Sequence, residues 1–180
     1  MGKIPAIVVM GVSGCGKSSV GQAIADEIHG ELIEGDAYHP PENIRKMSEG
    51  HPLDDSDRQG WLERLADLLA EGVAGEKVPV LACSALKKSY RDILRSKVSG
   101  VAFVFLDLPH DVAKDRVANR PGHFMPASLI DSQFDTLERP DAEAGVFVAD
   151  ATLPISTIAE NAVSWWMTSG SDNEKDGEGR

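Results

Sequence analysis

The sequence predicts an α/β fold in which a five-stranded parallel sheet is flanked by helices. Five apolar, β-rich runs alternate with segments of helical periodicity, an alternation typical of parallel strands joined by right-handed crossovers. The runs cover residues 4–10, 31–34, 78–83, 101–106 and 145–149. The third and fourth runs are almost entirely apolar, which indicates strands covered on both faces. Because ligands bind outside the carboxyl ends of such strands, functional residues are expected directly after each run.

Helical patterns lie between the runs, at residues 18–28, 41–49, 59–74, 86–97, 110–119 and 155–167. Two longer segments, residues 35–60 and 120–140, interrupt the alternation. Segments of this length on a compact domain are typical of substrate-binding excursions and of mobile lids, and we assign them in that order. Residues 168–180 are polar and glycine-rich, so we expect one domain over residues 1–167 and a disordered tail.

Composition limits the classes of partner. The 180-residue chain suits a single domain, and its net charge of −11 argues against binding nucleic acid, which needs a basic surface. No apolar run approaches the roughly 20 residues that cross a bilayer, so no membrane partner is expected. The two cysteines do not have the spacing of a disulfide scaffold or zinc site, and we expect a cytoplasmic protein.

The most informative motif follows the first run, where residues 11–18 read GVSGCGKS. This octapeptide matches the phosphate-binding pattern G-x-x-x-x-G-K-[ST]. Glycines let backbone N–H groups turn toward a polyphosphate, the lysine reaches the β- and γ-phosphates, and the hydroxyl holds Mg²⁺. A chance match is disfavoured because a strand precedes the motif and a helix follows it. The predicted ATP-binding residues are Gly11, Val12, Ser13, Gly14, Cys15, Gly16, Lys17, Ser18 and Ser19.

Two carboxylates follow the second run, at Glu34 and Asp36. Glu34 is assigned to the metal through a water molecule, together with Ser18, and Asp36 to the proton of the hydroxyl being phosphorylated. Their alternative is a pair of turn-forming acids. His39 is either a turn residue before proline or a hydrogen-bond partner of the substrate. The third run ends in Cys83 without an acidic residue, so a standard Walker B aspartate is absent there.

Basic residues are needed to hold an anion on so acidic a protein. Arg45, Lys46 and Arg58 lie in the first long segment. Lys87 and Arg91 open the helix after the third run, where a spacing of four residues predicts a shared face and an anion clamp. The alternative for these residues is a solvated basic surface.

A second basic pair, Arg116 and Arg120, precedes the Pro-Gly turn at residues 121–122. One arginine could stack on adenine while the other meets the charge of the transferring phosphoryl group. The alternative is a pair that stabilises the end of a helix dipole. Trp61, together with residues 165 and 166, is expected to pack in amphipathic helices.

Four longer strings extend these motifs: GDAYHPPENIRKMSEGHPLDDSDRQGWL, LACSALKKSYRDILR, RPGHF and QFDTLERP. With GVSGCGKS they make the chain similar to the small phosphate-loop gluconokinases over about residues 4–167. The resemblance implies transfer of the ATP γ-phosphoryl group to the 6-hydroxyl of D-gluconate, a nucleoside-monophosphate-kinase type of fold with a mobile lid, and a homodimer.

The resemblance also implies roles for individual residues. Asp36 would meet the substrate hydroxyl, while Lys17, Mg²⁺ and Arg120 would stabilise the transferring charge. Arg116 would lie on the adenine side. Glu34 departs from the aspartate expected two residues before Asp36. The implied substrate contacts are Asp36, His39, Arg45, Arg58, Lys87 and Arg91.

Two other functions remain open. One is a kinase for another small hydroxy acid such as shikimate, because basic residues placed for one carboxylate do not distinguish these acids. The other is a nucleotide-dependent switch without transfer, suggested by a D-x-x-G match at residues 57–60. The switch is disfavoured because the sequence contains no N-K-x-D guanine motif.

Overall fold

The computed structural model describes residues 4–119 and 128–172. Its strands are β1 (Ile7–Met10), β2 (Glu31–Glu34), β3 (Pro79–Ala82), β4 (Ala102–Asp107) and β5 (Val146–Asp150). They form one sheet in the order β2-β3-β1-β4-β5, and every neighbouring pair is parallel. The predicted five-stranded parallel sheet is confirmed.

The helices are α1 (Lys17–Ile28), α2 (Pro41–Ser48), α3 (Asp55–Ala74), α4 (Lys88–Arg95), α5 (His110–Ala118), α6 (Ser128–Thr136) and α7 (Ile155–Asp172). A short 3-10 turn, Gly35–Tyr38, separates β2 from α2. Helix α3 begins four residues before the predicted start, because Asp54 and Asp57 form a reciprocal capping box there.

Alternating residues of each strand supply two apolar layers, one on each face of the sheet. On one face Ile7 and Val9 of β1 pack with residues of α1, α5, α6 and α7. On the other face Val8 and Met10 pack with α3 and α4. In the second layer Leu62 of α3 is completely buried, and such burial contributes about 2 kcal/mol for a leucine side chain.

Strand register brings the functional turns to one level. Glu34 of β2 lies opposite Ala82 of β3, and Ala82 lies opposite Val9 of β1. The turn after β2, the loop after β1 and the segment after β3 therefore meet at the carboxyl edge of the sheet. This is the edge at which the sequence predicts the site.

Two predicted segments differ from expectation. Residues 168–172, which the sequence assigned to a tail, continue helix α7 instead. The rest of that predicted tail, residues 173–180, lies outside the described residues. Residues 128–136 of the predicted lid form helix α6, where Ile130 is fully buried. The rest of that lid, residues 120–127, lies outside the described residues. Among the residues described, no helix is long and apolar enough to span a membrane.

Candidate active site

The loop after β1 has the conformation that its glycines predict. Gly11, Gly14 and Gly16 have φ values of +148°, +83° and +92°, which side chains disfavour. Lys17 is the first residue of α1, and its ammonium group donates to the carbonyl of Val12 across the loop at 3.1 Å. The loop therefore surrounds the N-terminus of α1, where backbone N–H groups and the helix dipole favour phosphate.

The two residues predicted at the metal are in direct contact. The hydroxyl of Ser18 donates to Oε2 of Glu34 at 2.8 Å, which joins α1 to the end of β2. Within the described ranges no group of three or more His, Cys, Asp or Glu residues could hold a metal alone. A hydroxyl and a carboxylate suit a hard divalent cation that takes its remaining ligands from phosphate and water.

A small cavity opens beside the phosphate loop. It lies between that loop, the 3-10 turn, α2, α3 and α6. Five of its lining residues are ones that the sequence predicts to act: Ser13, Lys17, Asp36, His39 and Arg58. The other lining residues are Met47, Leu53, Trp61, Ser84 and Gln133.

Asp36 is held in place through the turn that carries it. A Cβ atom at Gly35 would lie 2.5 Å from the carbonyl oxygen of Ala82, so only glycine lets the turn approach β3 this closely. The indole Nε1–H of Trp61 donates to the carbonyl of Gly35 at 2.9 Å. The Asp36 side chain itself is 55% exposed, which leaves its carboxylate open to a ligand.

His39 is a buried member of the cavity wall. Its ring stacks on Trp61 with centroids 3.9 Å apart, and its Nε2 lies 3.8 Å from Oδ1 of Asp36. Burial lowers the pKa of His39 to about 4, and the nearby carboxylate of Asp36 only partly opposes this. The imidazole is therefore neutral near pH 7 and can serve as a hydrogen-bond partner, not as a cation.

Arg58 reaches the cavity as part of a polar network. It donates to the phenol oxygen of Tyr90 at 3.0 Å, and the Tyr90 hydroxyl donates in turn to Asp55. Lys87 donates to the same Asp55 carboxylate at 2.9 Å, and this hydrogen bond raises the pKa of Lys87. Arg58 thus lines the cavity, whereas Lys87 pairs with Asp55 outside it.

The structure does not bring Arg91 to the cavity. Its side chain is completely buried, and its guanidinium donates to Glu143 at distances down to 2.6 Å. It also donates to the carbonyls of Ala85 and Glu138, both at 2.8 Å. Arg91 therefore holds the segment after α6 against α4.

Lys87 and Arg91 do not form the predicted anion clamp, because helix α4 begins after Lys87. Helix α4 begins at Lys88, and Lys87 has an extended backbone with φ −101° and ψ 149°. The spacing of four residues therefore does not give a shared helix face. Arg45 of α2 is exposed and is not among the described residues that line the cavity.

The second predicted arginine pair is described only in part. Arg116 of α5 lies beside the phosphate loop, where it is 3.3 Å from the carbonyl of Gly14 and 3.4 Å from that of Ala151. This position is compatible with the adenine side of a bound nucleotide. Arg120 lies outside the described residues, and its role stays a prediction.

Gln133 and Trp61 are cavity residues that the sequence did not identify. The side-chain oxygen of Gln133 accepts from the backbone N–H of Ser13 at 2.7 Å, across 120 residues of chain. Gln133 lies in the QFDTLERP string, but the string does not reveal its partner. The spacing around Trp61 predicts a core residue. Its indole packs in the core as predicted, and it also lines the cavity.

Comparison with known proteins fits this geometry. The model of the shikimate kinase family matches residues 13–139. The thermoresistant gluconokinase of Escherichia coli (strain K12) is 40% identical over 157 residues, which are 87% of this chain and 90% of the relative. The gluconokinase of Gluconobacter oxydans (strain 621H) is 49% identical over 155 residues, with 86% and 87% covered. The chain belongs to the gluconokinase family.

A solved structure extends the similarity to three dimensions. The crystal structure of a gluconokinase from Sinorhizobium meliloti 1021 superposes with a TM-score of 0.86 at 46% identity, covering 98% of this chain and 99% of that one. The resemblance found in the sequence is thus confirmed, and the chain is a kinase. Membership of this family implies ATP and a divalent metal ion. The nucleotide switch without transfer is not favoured.

We predict that Arg91→Ala lowers the free energy of unfolding by about 3–5 kcal/mol, because it removes a completely buried side chain and leaves the part-buried Glu143 with Arg95 as its remaining cationic partner. The KM of the folded enzyme for its acceptor should change less than twofold. Urea unfolding and steady-state kinetics measure the two effects. Lys88→Ala, at an exposed neighbouring position, is the control and should stay within about 0.5 kcal/mol. A stable variant with a raised KM would restore Arg91 to the substrate site.

We also predict that His39 makes stability depend on pH. Its pKa is about 4 in the folded protein, compared with about 6.5 when unfolded. The unfolded chain therefore takes up the proton first as pH falls. The contribution of neutral His39 is complete above about pH 6.5 and is lost progressively down to pH 4, a difference of order 3 kcal/mol.

Urea unfolding between pH 4 and pH 7.5 measures this loss. His39→Phe keeps an aromatic ring against Trp61 but cannot titrate, so its unfolding free energy should fall less over the same range. His51→Phe, which replaces an exposed histidine, should behave like the unmodified protein. Equal pH dependence in the protein and in His39→Phe would contradict the assignment.

Proposed function

We propose that the chain transfers the γ-phosphoryl group of ATP to the 6-hydroxyl of D-gluconate, giving 6-phospho-D-gluconate and ADP. The observation that carries the proposal is the cavity in which the Asp36 carboxylate and the Lys17 ammonium line one space beside the phosphate loop. An acceptor hydroxyl there can meet a proton acceptor and a phosphoryl group together. The gluconokinase names of relatives that are 40% and 49% identical support D-gluconate as the acceptor.

On the nucleotide side, we assign the β- and γ-phosphates to the loop of residues 11–19 and to Lys17. Mg²⁺ fits the oxygen pair of Ser18 and Glu34, directly or through water, and when bound it would neutralise phosphate charge. Arg116 is assigned to the adenine side. Arg120 is assigned to the transferring charge by the resemblance alone.

On the acceptor side, Asp36 orients the 6-hydroxyl and accepts its proton as the oxygen bonds to the γ-phosphorus. The bond from that phosphorus to the oxygen that bridges the β- and γ-phosphates of ATP breaks, and ADP leaves with the electron pair on that oxygen. Asp36 later returns its proton to solvent. In a loose transition state most of the acceleration comes from positioning and positive charge.

The carboxylate of the substrate needs a cation at the other end of the cavity. Arg58 lines the cavity, and its position is fixed by Tyr90. Neutral His39 can donate or accept a hydrogen bond with the substrate hydroxyls. Arg45 stays a candidate on exposed α2, while Lys87, paired with Asp55, acts through the network that holds Arg58.

The homodimer implied by the resemblance and the cytoplasmic location inferred from the two cysteines belong to this proposal. Light scattering of the purified protein tests the first, and a mass of one chain would reject it. The second is tested by cell fractionation.

The substrate is tested by ADP release from Mg²⁺-ATP with D-gluconate, shikimate, other aldonates, AMP or no acceptor. We expect turnover that requires D-gluconate, and ³¹P NMR should show a phosphomonoester at the 6-position. Turnover with shikimate alone would favour the alternative acid kinase. ADP release that needs no acceptor would contradict transfer.

We predict that Asp36→Asn lowers kcat with D-gluconate by about 10²–10⁴-fold, because the amide cannot accept the hydroxyl proton. The Kd for ATP, measured by calorimetry, should stay within about threefold. Glu42→Gln removes an exposed carboxylate from nearby α2 and should leave kcat unchanged. Unchanged turnover in Asp36→Asn would remove Asp36 as the proton acceptor.

A further inference from the structure

Helix α6 touches both halves of the candidate site through two side chains one turn apart. Leu129 and Gln133 are separated by four residues, so they lie on the same face of the helix. Both are buried, at 4% and 8% exposure. They contact different parts of the protein, and no role in the proposed reaction has yet been given to either.

Gln133 holds the phosphate loop at Ser13. Its Oε1 accepts from the backbone N–H of Ser13 at 2.7 Å, and its Nε2 donates to the Ser13 hydroxyl at 3.2 Å. One amide therefore fixes both the backbone and the side chain of a residue in the phosphate-binding loop. A displacement of α6 would change the orientation of an N–H group in that loop.

Leu129 holds the acceptor side. It forms a separate apolar cluster with Met47 of α2 and Leu53 of the α2–α3 connection, all at most 7% exposed. Met47 and Leu53 also line the cavity assigned to the acceptor. Ser128, the first residue of α6, comes within 4.0 Å of the Cβ position at Gly50, so α6 begins directly against this connection.

We propose that α6 couples the acceptor cavity to the phosphate loop, with Leu129 and Gln133 as positioning residues. The coupling rests on the proposed function, in which an acid binds against α2 and ATP binds to the loop. When the acid moves Met47 or Leu53, the rigid helix transmits the shift to Ser13 through Gln133. Because linkage is reciprocal, ATP should strengthen acid binding by the same factor.

The test measures the Kd of the non-hydrolysable ATP analogue AMPPNP with Mg²⁺ by calorimetry, without and with saturating D-gluconate. The ratio of the two values is the coupling factor. We expect a factor of about 5–150 in the unmodified protein, the usual range for coupled sites. In Gln133→Leu, which keeps the bulk but loses both hydrogen bonds to Ser13, the factor should fall below about 2.

Two further variants and a control make the assignment specific. Leu129→Ala should also reduce the factor, and combining it with Gln133→Leu should give no further loss, since both act through α6. Leu129→Met, which keeps the apolar contact, should retain the factor and serves where the alanine variant fails to fold. Asp135→Asn changes an exposed residue of the same helix and should behave like the unmodified protein. Thermal melting of each variant separates lost coupling from lost structure.

Two outcomes overturn the coupling: a factor near one in the unmodified protein, or an unchanged factor in folded Gln133→Leu. The ADP-release assay with D-gluconate keeps this result apart from the proposed function. Turnover with D-gluconate and an unchanged factor rejects the coupling alone. Absence of turnover rejects D-gluconate as substrate, and the same ratio is then measured with the acid that does support turnover.

Discussion

The close approach of Gly35 to the backbone of β3 is the constraint on which the candidate site depends. β3 lies between β1 and β2, and their register brings Val9, Ala82 and Glu34 to the same level. The phosphate loop after β1 and the turn that carries Asp36 after β2 consequently emerge at the same edge of the sheet, one on each side of β3. Trp61 then fixes the turn from α3 by donating to the Gly35 carbonyl. The absence of a side chain at Gly35 and the register of the sheet together bring the Asp36 carboxylate close to the phosphate loop.

Charge pairing explains how so acidic a chain can receive anions. Many of its cations are committed to carboxylates: Arg139 binds Asp107 with two hydrogen bonds, and Arg91 is buried against Glu143. Such pairs stabilise the fold but add little positive field for a ligand. In the cavity, by contrast, Lys17 donates to a backbone carbonyl and Arg58 to a phenol, and neither of these acceptors carries a negative charge. The cavity therefore presents two cationic side chains, Lys17 and Arg58, beside the Asp36 carboxylate, although the net charge of the chain is −11.

The parts of the site that follow strands could be predicted, because parallel strands deliver their carboxyl ends to one edge. The phosphate loop, the contact between Ser18 and Glu34 and the placement of Asp36 all follow from this rule. Arg91 was misplaced because the periodicity did not locate the start of α4, and a shift of two residues removed its pairing with Lys87. The contact of Gln133 with Ser13 joins residues 120 positions apart, so only tertiary packing determines it. Trp61 both packs in the core and lines the cavity, whereas the spacing of apolar residues predicts only the core position.

Most of the residues that line the cavity come from one continuous stretch of the chain. Asp36, His39, Met47, Leu53, Arg58 and Trp61 all come from the single stretch between β2 and the first turns of α3. The phosphate loop and the sheet lie outside this stretch. Under the proposed function, acceptor choice would be encoded almost entirely in this one stretch. Gene duplication could diversify the stretch, or an experimenter could graft it, while the phosphate loop and the sheet stay unchanged. A grafted stretch would have to keep Gly35 against β3 and the apolar residues Met47 and Leu53 that contact α6. These two contacts limit how far the stretch could change to accept a different substrate acid.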